Sequence, residues 1–398
     1  MYMIPRRWIH ILPMEYKEVL NPPSDLLSNE SIVSRWENEF STFFGTPYAV
    51  ALPSGRVGLK LILKHLNLQK DDEVIIPALT LKALVNIILS LGLKPVCADI
   101  DPKTLNIDPH SLQKRITSRT KVIISLHTFG NPCYIEEICK IGEAYNIPVI
   151  EDTAHACGAK IHNQYAGTIG YAGFFSFDVS KPINTYGGGM LVSNDVSLIN
   201  FVREQNQQFV IDTAEITKKA KSIKIEQTLY NSQLMYPILF LRLFPFFFKS
   251  IEYVYRKFQS VPPENIRYTP LQARIGIEKL SFLSSRIEQR NEIAQLYRKL
   301  LSDKIDIPYV RTNCTPSYYM FVVILPMESQ RICRSLLFHG IDTALKEEVI
   351  DDVSTIINEP NCPNANSVYP RLLALPFYDG ISEDTIKYIC NCLNKLIK

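Results

Sequence analysis

The sequence lacks a long apolar run, and its first residues lack the apolar core of a signal peptide. The most apolar stretch, residues 234–249, is shorter than the roughly 20 residues that cross a bilayer as a helix. Pro237 and Pro245 interrupt this stretch, and Arg242 places a charge inside it. A membrane-spanning helix and a secretory leader are therefore not expected.

Neither an excess of one charge nor a framework of cysteines is present. The 43 basic and 40 acidic residues leave a net charge of +3, which gives no electrostatic reason to expect nucleic-acid binding. The nine cysteines are scattered, and Cys390 and Cys392, the only close pair, do not have the spacing of a zinc site. An odd number of cysteines without regular spacing is typical of reduced thiols. We therefore predict a cytoplasmic protein without a metal site or a nucleic-acid partner.

The first half of the chain alternates short apolar runs with helical patterns. The runs favour strands at residues 48–52, 73–76, 95–99, 121–126 and 148–151. Helical patterns, for example at residues 82–91 and 134–145, separate most of them. Alternation of this kind predicts an α/β fold, in which helices flank both faces of a mostly parallel sheet.

The second half of the chain has a different pattern. Residues 271–301 favour one or two charged amphipathic helices, and a strand at 320–325 and a helix at 383–397 indicate a smaller α+β domain. A chain of 398 residues, 46% of them apolar, can form two domains. The predicted organisation is an N-terminal arm over residues 1–30, a large domain over 31–263, and connecting helices with a small C-terminal domain over 264–398.

Two residues of opposite charge follow strand patterns, at the ends where ligands bind in parallel sheets. Lys181 follows the apolar run 174–177 and precedes the glycines 187–189, and Asp152 follows the run 149–151. Pyridoxal phosphate (PLP) requires such a pair, because a lysine amine binds its aldehyde and an acid keeps its pyridine nitrogen protonated. Each residue alone would also fit a surface lysine or a helix cap.

Two further signals are weaker. Ser54, Gly55 and Arg56 form a small-residue turn before a helical run, and such a helix N-terminus can bind phosphate. The same turn also fits an ordinary capped helix. His127 follows the strand at 121–126 and fits a site residue and a structural histidine equally well.

From about residue 31 to the C-terminus, the sequence resembles the DegT/StrS family of PLP-dependent sugar aminotransferases, which have the aspartate-aminotransferase-like fold. The matching segments are residues 54–55, 71–77, 98–101, 149–152, 175–181, 187–189, 265–267 and 373–376. By position, the resemblance implies Lys181 as the lysine that binds PLP, Asp152 at the pyridine nitrogen, Ser176 with Ser54, Gly55 and Arg56 at the phosphate, His155 at the ring hydroxyl, Leu81 against the ring, and Asn265 at the phosphate of the neighbouring subunit.

This sequence departs from the family at several of those positions. The family often has threonine where Arg56 stands, usually glutamine where His155 stands, and often an aromatic residue where Leu81 stands. The family's histidine-containing sugar loop has no clear match. The missing loop concerns the substrate more than the cofactor.

The resemblance implies an aminotransferase that works as a homodimer with shared active sites. The amino donor would be an amino acid, commonly glutamate, and the acceptor a keto sugar carried on a nucleotide, in surface-polysaccharide or secondary-metabolite biosynthesis. Dehydratases of the same family have histidine in place of the lysine, so Lys181 argues against that activity. The sequence also fits a non-catalytic regulator or membrane-surface binding protein with a PLP fold, and an aminotransferase for a lipid-linked or other apolar ketone.

Residues 211–263 exceed the family's usual length and contain the aromatic stretch 234–249. This insert fits three kinds of structure. It could be a helical element buried against its own domain or the dimer partner, a membrane-surface anchor, or a lid over an apolar substrate.

Overall fold

The structure is a computed structural model that describes residues 3–13, 15–24, 26, 29–232, 234–241, 265–359 and 361–397. The strands, in chain order, are β1 (Ala49–Leu52), β2 (Glu73–Pro77), β3 (Leu79–Thr80), β4 (Lys94–Ala98), β5 (Thr120–Leu126), β6 (Val149–Asp152), β7 (Lys160–Ile161), β8 (Gln164–Tyr165), β9 (Ala172–Ser176), β10 (Gly189–Ser193), β11 (Cys314–Thr315), β12 (Phe321–Ile324), β13 (Ala344–Leu345), β14 (Asp351–Asp352) and β15 (Leu372–Leu375).

The α-helices, in chain order, are α1 (Glu15–Leu20), α2 (Glu30–Phe44), α3 (Gly55–His65), α4 (Lys82–Ser90), α5 (Pro109–Arg115), α6 (Ile135–Tyr145), α7 (Val196–Gln207), α8 (Ala214–Asn231), α9 (Met235–Phe240), α10 (Pro270–Ser281), α11 (Leu283–Leu300), α12 (Ser329–Phe338), α13 (Lys346–Val349), α14 (Val353–Ile356), α15 (Pro363–Val368) and α16 (Glu383–Leu396). Short 3₁₀ turns lie at Thr128–Gly130 and Tyr369–Arg371.

A mostly parallel sheet organises the first half of the chain. Within the described residues it has seven strands in the order β1-β10-β9-β6-β5-β2-β4. The pairs from β9 to β4 are parallel, whereas β10 runs antiparallel to both of its neighbours. The structure thus confirms the predicted α/β class, and each strand predicted in this half is present with its ends shifted by one residue at most.

Alternate residues of the sheet face different helical layers, as the two-residue period of a strand requires. Val74 and Ile76 of β2 belong to a core shared with α3, α4 and α7. Ile75 between them packs with residues of α5 and α6 on the opposite face. Helices therefore cover both faces of the sheet and leave its strand ends as the place for a site.

A smaller α+β unit follows the long helix α11. Strands β12, β15 and β13 form an antiparallel sheet. Tyr297 of α11, Phe321 of β12, Leu336 of α12 and Ile389 of α16 share one buried core with this sheet. This unit agrees with the α+β pattern predicted for the C-terminal part.

The described part of the insert is helical and packs on its own chain. Ile216, Ala220 and Ile223 of α8 share a buried cluster with Val19 of α1. Helix α9 lies against α12, where Phe240 meets Phe338 edge to face at a centroid distance of 5.3 Å. These helices pack on their own chain on one side only, since Ile225, Leu234 and Leu241 are exposed. Residues 242–264, with half of the aromatic stretch, lie outside the described residues. Within the described part of the chain, no helix is both long and apolar enough to cross a membrane.

The N-terminal arm docks on its own chain. Ile4 pairs with Ile341 of the small unit, and Arg6 contacts Glu348 there. Further along the arm, Glu15 accepts a 2.8 Å hydrogen bond from Lys279 Nζ, and both side chains are buried. Burial lowers the pKa of Lys279, and the Glu15 carboxylate opposes that effect.

We expect Glu15→Ala to lower the free energy of unfolding by about 3–5 kcal/mol, because it leaves the Lys279 charge buried without its carboxylate. Urea denaturation measures this loss. The matched control is Glu18→Ala on the same helix, since Glu18 pairs with Arg274 at 2.8 Å with both side chains partly exposed. That change should cost at most about 1 kcal/mol. Equal losses in the two variants would contradict the assignment.

Candidate active site

Lys181 and Asp152 lie at the carboxyl ends of neighbouring parallel strands. Asp152 is the last residue of β6, is 2% exposed, and faces Phe174 of β9 in the register. Lys181 lies in the turn that links β9 to β10, where its N–H donates to Asp178 O at 2.9 Å. The Lys181 charge acts on the pKa of both Asp152 and His155, so the fold brings these three predicted residues into one site.

The Asp152 carboxylate is buried, and neighbouring groups act on its pKa. Burial raises its pKa to about 6, while the Ala154 N–H at 2.9 Å and the charge of Lys181 oppose that rise. The carboxyl group is therefore mostly ionised at neutral pH. A cationic group beside it would hold it ionised more firmly.

His127 is part of a buried pair behind Asp152. Its Nε2 lies 3.0 Å from Glu151 Oε2, and its Nδ1 accepts a hydrogen bond from the Cys133 N–H at 3.2 Å. Burial favours a neutral Glu151, but His127 and the amides of Gly170 and Gly167 outweigh it and keep its pKa low. Of the two interpretations of His127, the contacts favour the structural one.

The buried ring of His155 has one nitrogen atom without a hydrogen-bond partner in the described part of the chain. It is 2% exposed, and its Nδ1 has no hydrogen-bond partner among the described residues. Burial and the nearby Lys181 charge hold its pKa well below the usual value, so the ring is neutral at pH 7. The imidazole lies between two aromatic rings, with Phe129 at 6.1 Å and Tyr319 at 4.6 Å between centroids.

Tyr319 is a site residue that the sequence analysis missed. Lys181 Nζ lies 3.8 Å from the centroid of its ring, and its hydroxyl is 2.9 Å from Ser180 Oγ. The Tyr319 N–H also donates to Phe129 O at 3.0 Å, which ties the loop before β12 to the loop after β5. An aromatic residue before a strand gives no signal of this role, because the contact depends on how the loop before β12 packs on the turn after β9.

The turn before α3 lies beside the glycine cluster. Ser54 caps the helix, since its Oγ accepts the Val57 N–H at 3.3 Å, which leaves the amides of Gly55 and Arg56 as donors at the helix N-terminus. Gly189 pairs with Ser176 in the register. A Cβ on Gly189 would lie 2.5 Å from Gly55 N, so only glycine permits this close approach. Ser54, Gly55 and Ser176 are thus brought together.

The remaining predicted residues are not tied to this cluster by comparable contacts. Leu81 is half-buried against the large core at the start of α4, and Arg56 is half-buried at the start of α3. Asn265 is exposed, and its carbonyl accepts the Val210 N–H at 2.9 Å. Their roles toward a cofactor remain predictions. Among the described residues, no group of three or more His, Cys, Asp or Glu side chains could hold a metal ion.

We expect Asp152→Asn to change how the stability of the cofactor-free protein depends on pH. As the pH rises from about 4 to 6, the unfolded chain gives up the Asp152 proton first, which favours unfolding of the wild type. The free energy of unfolding of the variant relative to wild type should therefore rise by about 3 kcal/mol over this range and then level off. Urea titrations at each pH measure it. A difference that does not change with pH would contradict the raised pKa.

Known proteins share this sequence pattern along nearly the whole chain. The sequence model of the DegT/DnrJ/EryC1/StrS aminotransferase family matches residues 15–394. The spore coat polysaccharide biosynthesis protein SpsC of Bacillus subtilis is 28% identical, over 94% of this chain and 92% of its own. The GDP-perosamine synthase of Escherichia coli O157:H7 is 27% identical, over 95% of this chain and 94% of its own.

Among solved structures, the E. coli GDP-4-keto-6-deoxy-D-mannose-3-dehydratase with bound hydrated PLP superposes with a TM-score of 0.78. It is 23% identical and covers 99% of this chain and 100% of its own, a likeness that shows the shared fold. The family expected from the sequence is confirmed, because the family model spans nearly the whole chain. This protein belongs to the DegT/DnrJ/EryC1/StrS aminotransferase family.

Proposed function

We propose that this protein is a PLP-dependent aminotransferase that moves an amino group from an amino acid, with glutamate as the expected donor, to a keto sugar carried on a nucleotide. The observation that carries the proposal is that Lys181 follows the strand next to the one that ends in a buried, mostly ionised Asp152, whose pKa the lysine charge lowers. The family and the names of the relatives support the same reaction class.

The residues present fit PLP. Its phosphate would take the amides of Gly55 and Arg56 with the hydroxyl of Ser176, at a helix N-terminus that attracts anions. Asp152 would face the pyridine nitrogen, whose positive charge would complete the charge balance of the site. The free Nδ1 of His155 would meet the ring hydroxyl. Bound there, PLP would supply an electron sink for the carbon that exchanges the amino group.

Lys181 has two tasks in this proposal. Its Nζ would hold the cofactor and, once released, would act as the base that moves the proton at the substrate carbon. The Tyr319 ring, 3.8 Å from Nζ, restricts where the amine can move. The His155 ring stacks on Tyr319, and the Phe129 ring is parallel to His155, which supports the position of Tyr319.

The presence of lysine separates this proposal from the nearest alternative activity. Family dehydratases resemble this chain but have histidine where Lys181 stands. A non-catalytic role is disfavoured because Lys181, Asp152 and Ser176 are all present. The names of SpsC and GDP-perosamine synthase support a nucleotide-linked sugar acceptor in polysaccharide biosynthesis.

Assembly and location form the less constrained part of the proposal. We expect a homodimer in which Asn265, exposed on its own subunit, reaches the cofactor phosphate of the neighbour. Peripheral membrane contact through residues 234–249 also remains a proposal, carried by the aromatic and basic residues of that stretch. The nine free cysteines fit the expected cytoplasmic location.

We expect Lys181→Ala to fold, to lose the absorbance band of the lysine-bound cofactor, and to lose transamination. Borohydride reduction of the wild-type protein, followed by peptide mapping, should place the cofactor on Lys181. The control is Lys160→Ala, on β7, which should keep the band and the activity. Labelling of Lys160 or any other lysine would contradict the proposal.

We expect activity to return when inactive Lys181→Ala chains are mixed with Asn265→Ala chains. In a mixed dimer one site would contain both damaged residues, and the other would be intact. Activity measured after subunit exchange, with each variant alone as the control, tests the shared site. A protein that is fully active in the assay and a monomer by light scattering would rule out the shared site.

A further inference from the structure

A buried cluster of charged residues lies where the two domains meet. Arg286 and Arg290 are four residues apart on α11 and so lie on one face of that helix, and Asp379 lies between β15 and α16. The side chains of Arg286, Arg290 and Asp379 are 9%, 7% and 14% exposed. Two like charges at this spacing repel each other, so the arrangement depends on the carboxylate between them.

Each oxygen of the Asp379 carboxylate accepts a hydrogen bond from one arginine. Arg286 Nε donates to Oδ2 at 2.6 Å, and Arg290 Nε donates to Oδ1 at 2.9 Å. Burial alone would raise the pKa of Asp379, but the two guanidinium groups outweigh it and lower that pKa. The carboxylate is therefore ionised and fixed by charge-assisted hydrogen bonds at both oxygens.

The other donors of the two arginines reach the loops that carry the active site. Arg286 Nη1 donates to the carbonyl of Pro182, the residue after Lys181. Arg290 Nη1 donates to the carbonyl of Tyr318 at 2.8 Å, and Tyr318 precedes Tyr319. The Asp379 carboxylate is thus linked through Arg286 to the backbone beside Lys181. Through Arg290 it is linked to the backbone beside Tyr319.

We infer that Arg286, Asp379 and Arg290 form a positioning unit that fixes Lys181 and Tyr319 relative to each other. None of the three contacts the reacting atoms, and the unit acts through two backbone carbonyls. The proline after Lys181 disfavours helical backbone angles at the lysine, so an anchored Pro182 carbonyl limits where the lysine side chain starts. A shift of about 1 Å in a reacting group can cost about 100-fold in rate.

The inference rests on the proposed function, because Lys181 must be the residue that holds PLP. The test uses the PLP-bound protein and three variants: Asp379→Glu and Arg286→Lys, which keep the charges but change the reach, and Asp379→Asn. The matched control is Asp384→Asn, the same chemical change at a side chain that is 96% exposed on α16. Each protein is measured for its melting temperature, for kcat and KM with the amino donor, and for cofactor absorbance against pH, which reports the proton on Lys181 Nζ.

We expect the folded variants to shift the midpoint of the absorbance titration and to lower kcat about tenfold or more, with KM for the donor changing less than twofold. The control should match the wild type. An unchanged titration and kcat in folded variants would overturn the inference. An activity loss that only follows the fraction of unfolded protein would also overturn it, and so would a failure of all three variants to fold. Either outcome would make the cluster purely structural. Absence of the cofactor band in the wild type would instead refute the proposed function.

Discussion

The ionised carboxylate of Asp152 is the constraint on which the rest of the site depends. Removing such a group from water costs several kcal/mol unless other charges and donors compensate. Here the compensation comes from the Ala154 N–H and from the Lys181 charge. A pyridinium nitrogen requires an ionised carboxylate beside it. The buried negative charge, which is unfavourable in an apolar core, therefore suits a cofactor site.

The sheet topology explains why these groups meet. Because β5, β6 and β9 are parallel neighbours, the residues that follow them gather at one edge of the sheet. The antiparallel strand β10 then returns the chain past the N-terminus of α3, where Gly189 packs on Ser54 and Gly55. The proposed phosphate site and the turn that carries Lys181 therefore both lie at the ends of β9 and β10.

The sequence was informative where local patterns decide the structure. Apolar periodicity located the strands of the large sheet, and the rule that ligands bind at strand ends singled out Lys181 and Asp152. The sequence could not reveal the contact between Tyr319 and Lys181, because these residues are more than 100 positions apart. Nor could it reveal that Arg286 and Arg290 are buried, since a charged helix pattern usually indicates a solvent-exposed face. The docking of the N-terminal arm through Glu15 and Lys279 depends on tertiary packing in the same way.

The measurement that tests the central claim most directly is a single turnover with the amino donor alone. Purified PLP-bound protein is mixed with L-glutamate, and the cofactor absorbance and released 2-oxoglutarate are followed together. We predict that the band of the lysine-bound cofactor disappears and that one 2-oxoglutarate is released per site without any acceptor sugar. A spectrum unchanged by glutamate and by every other amino acid tried would contradict an aminotransferase.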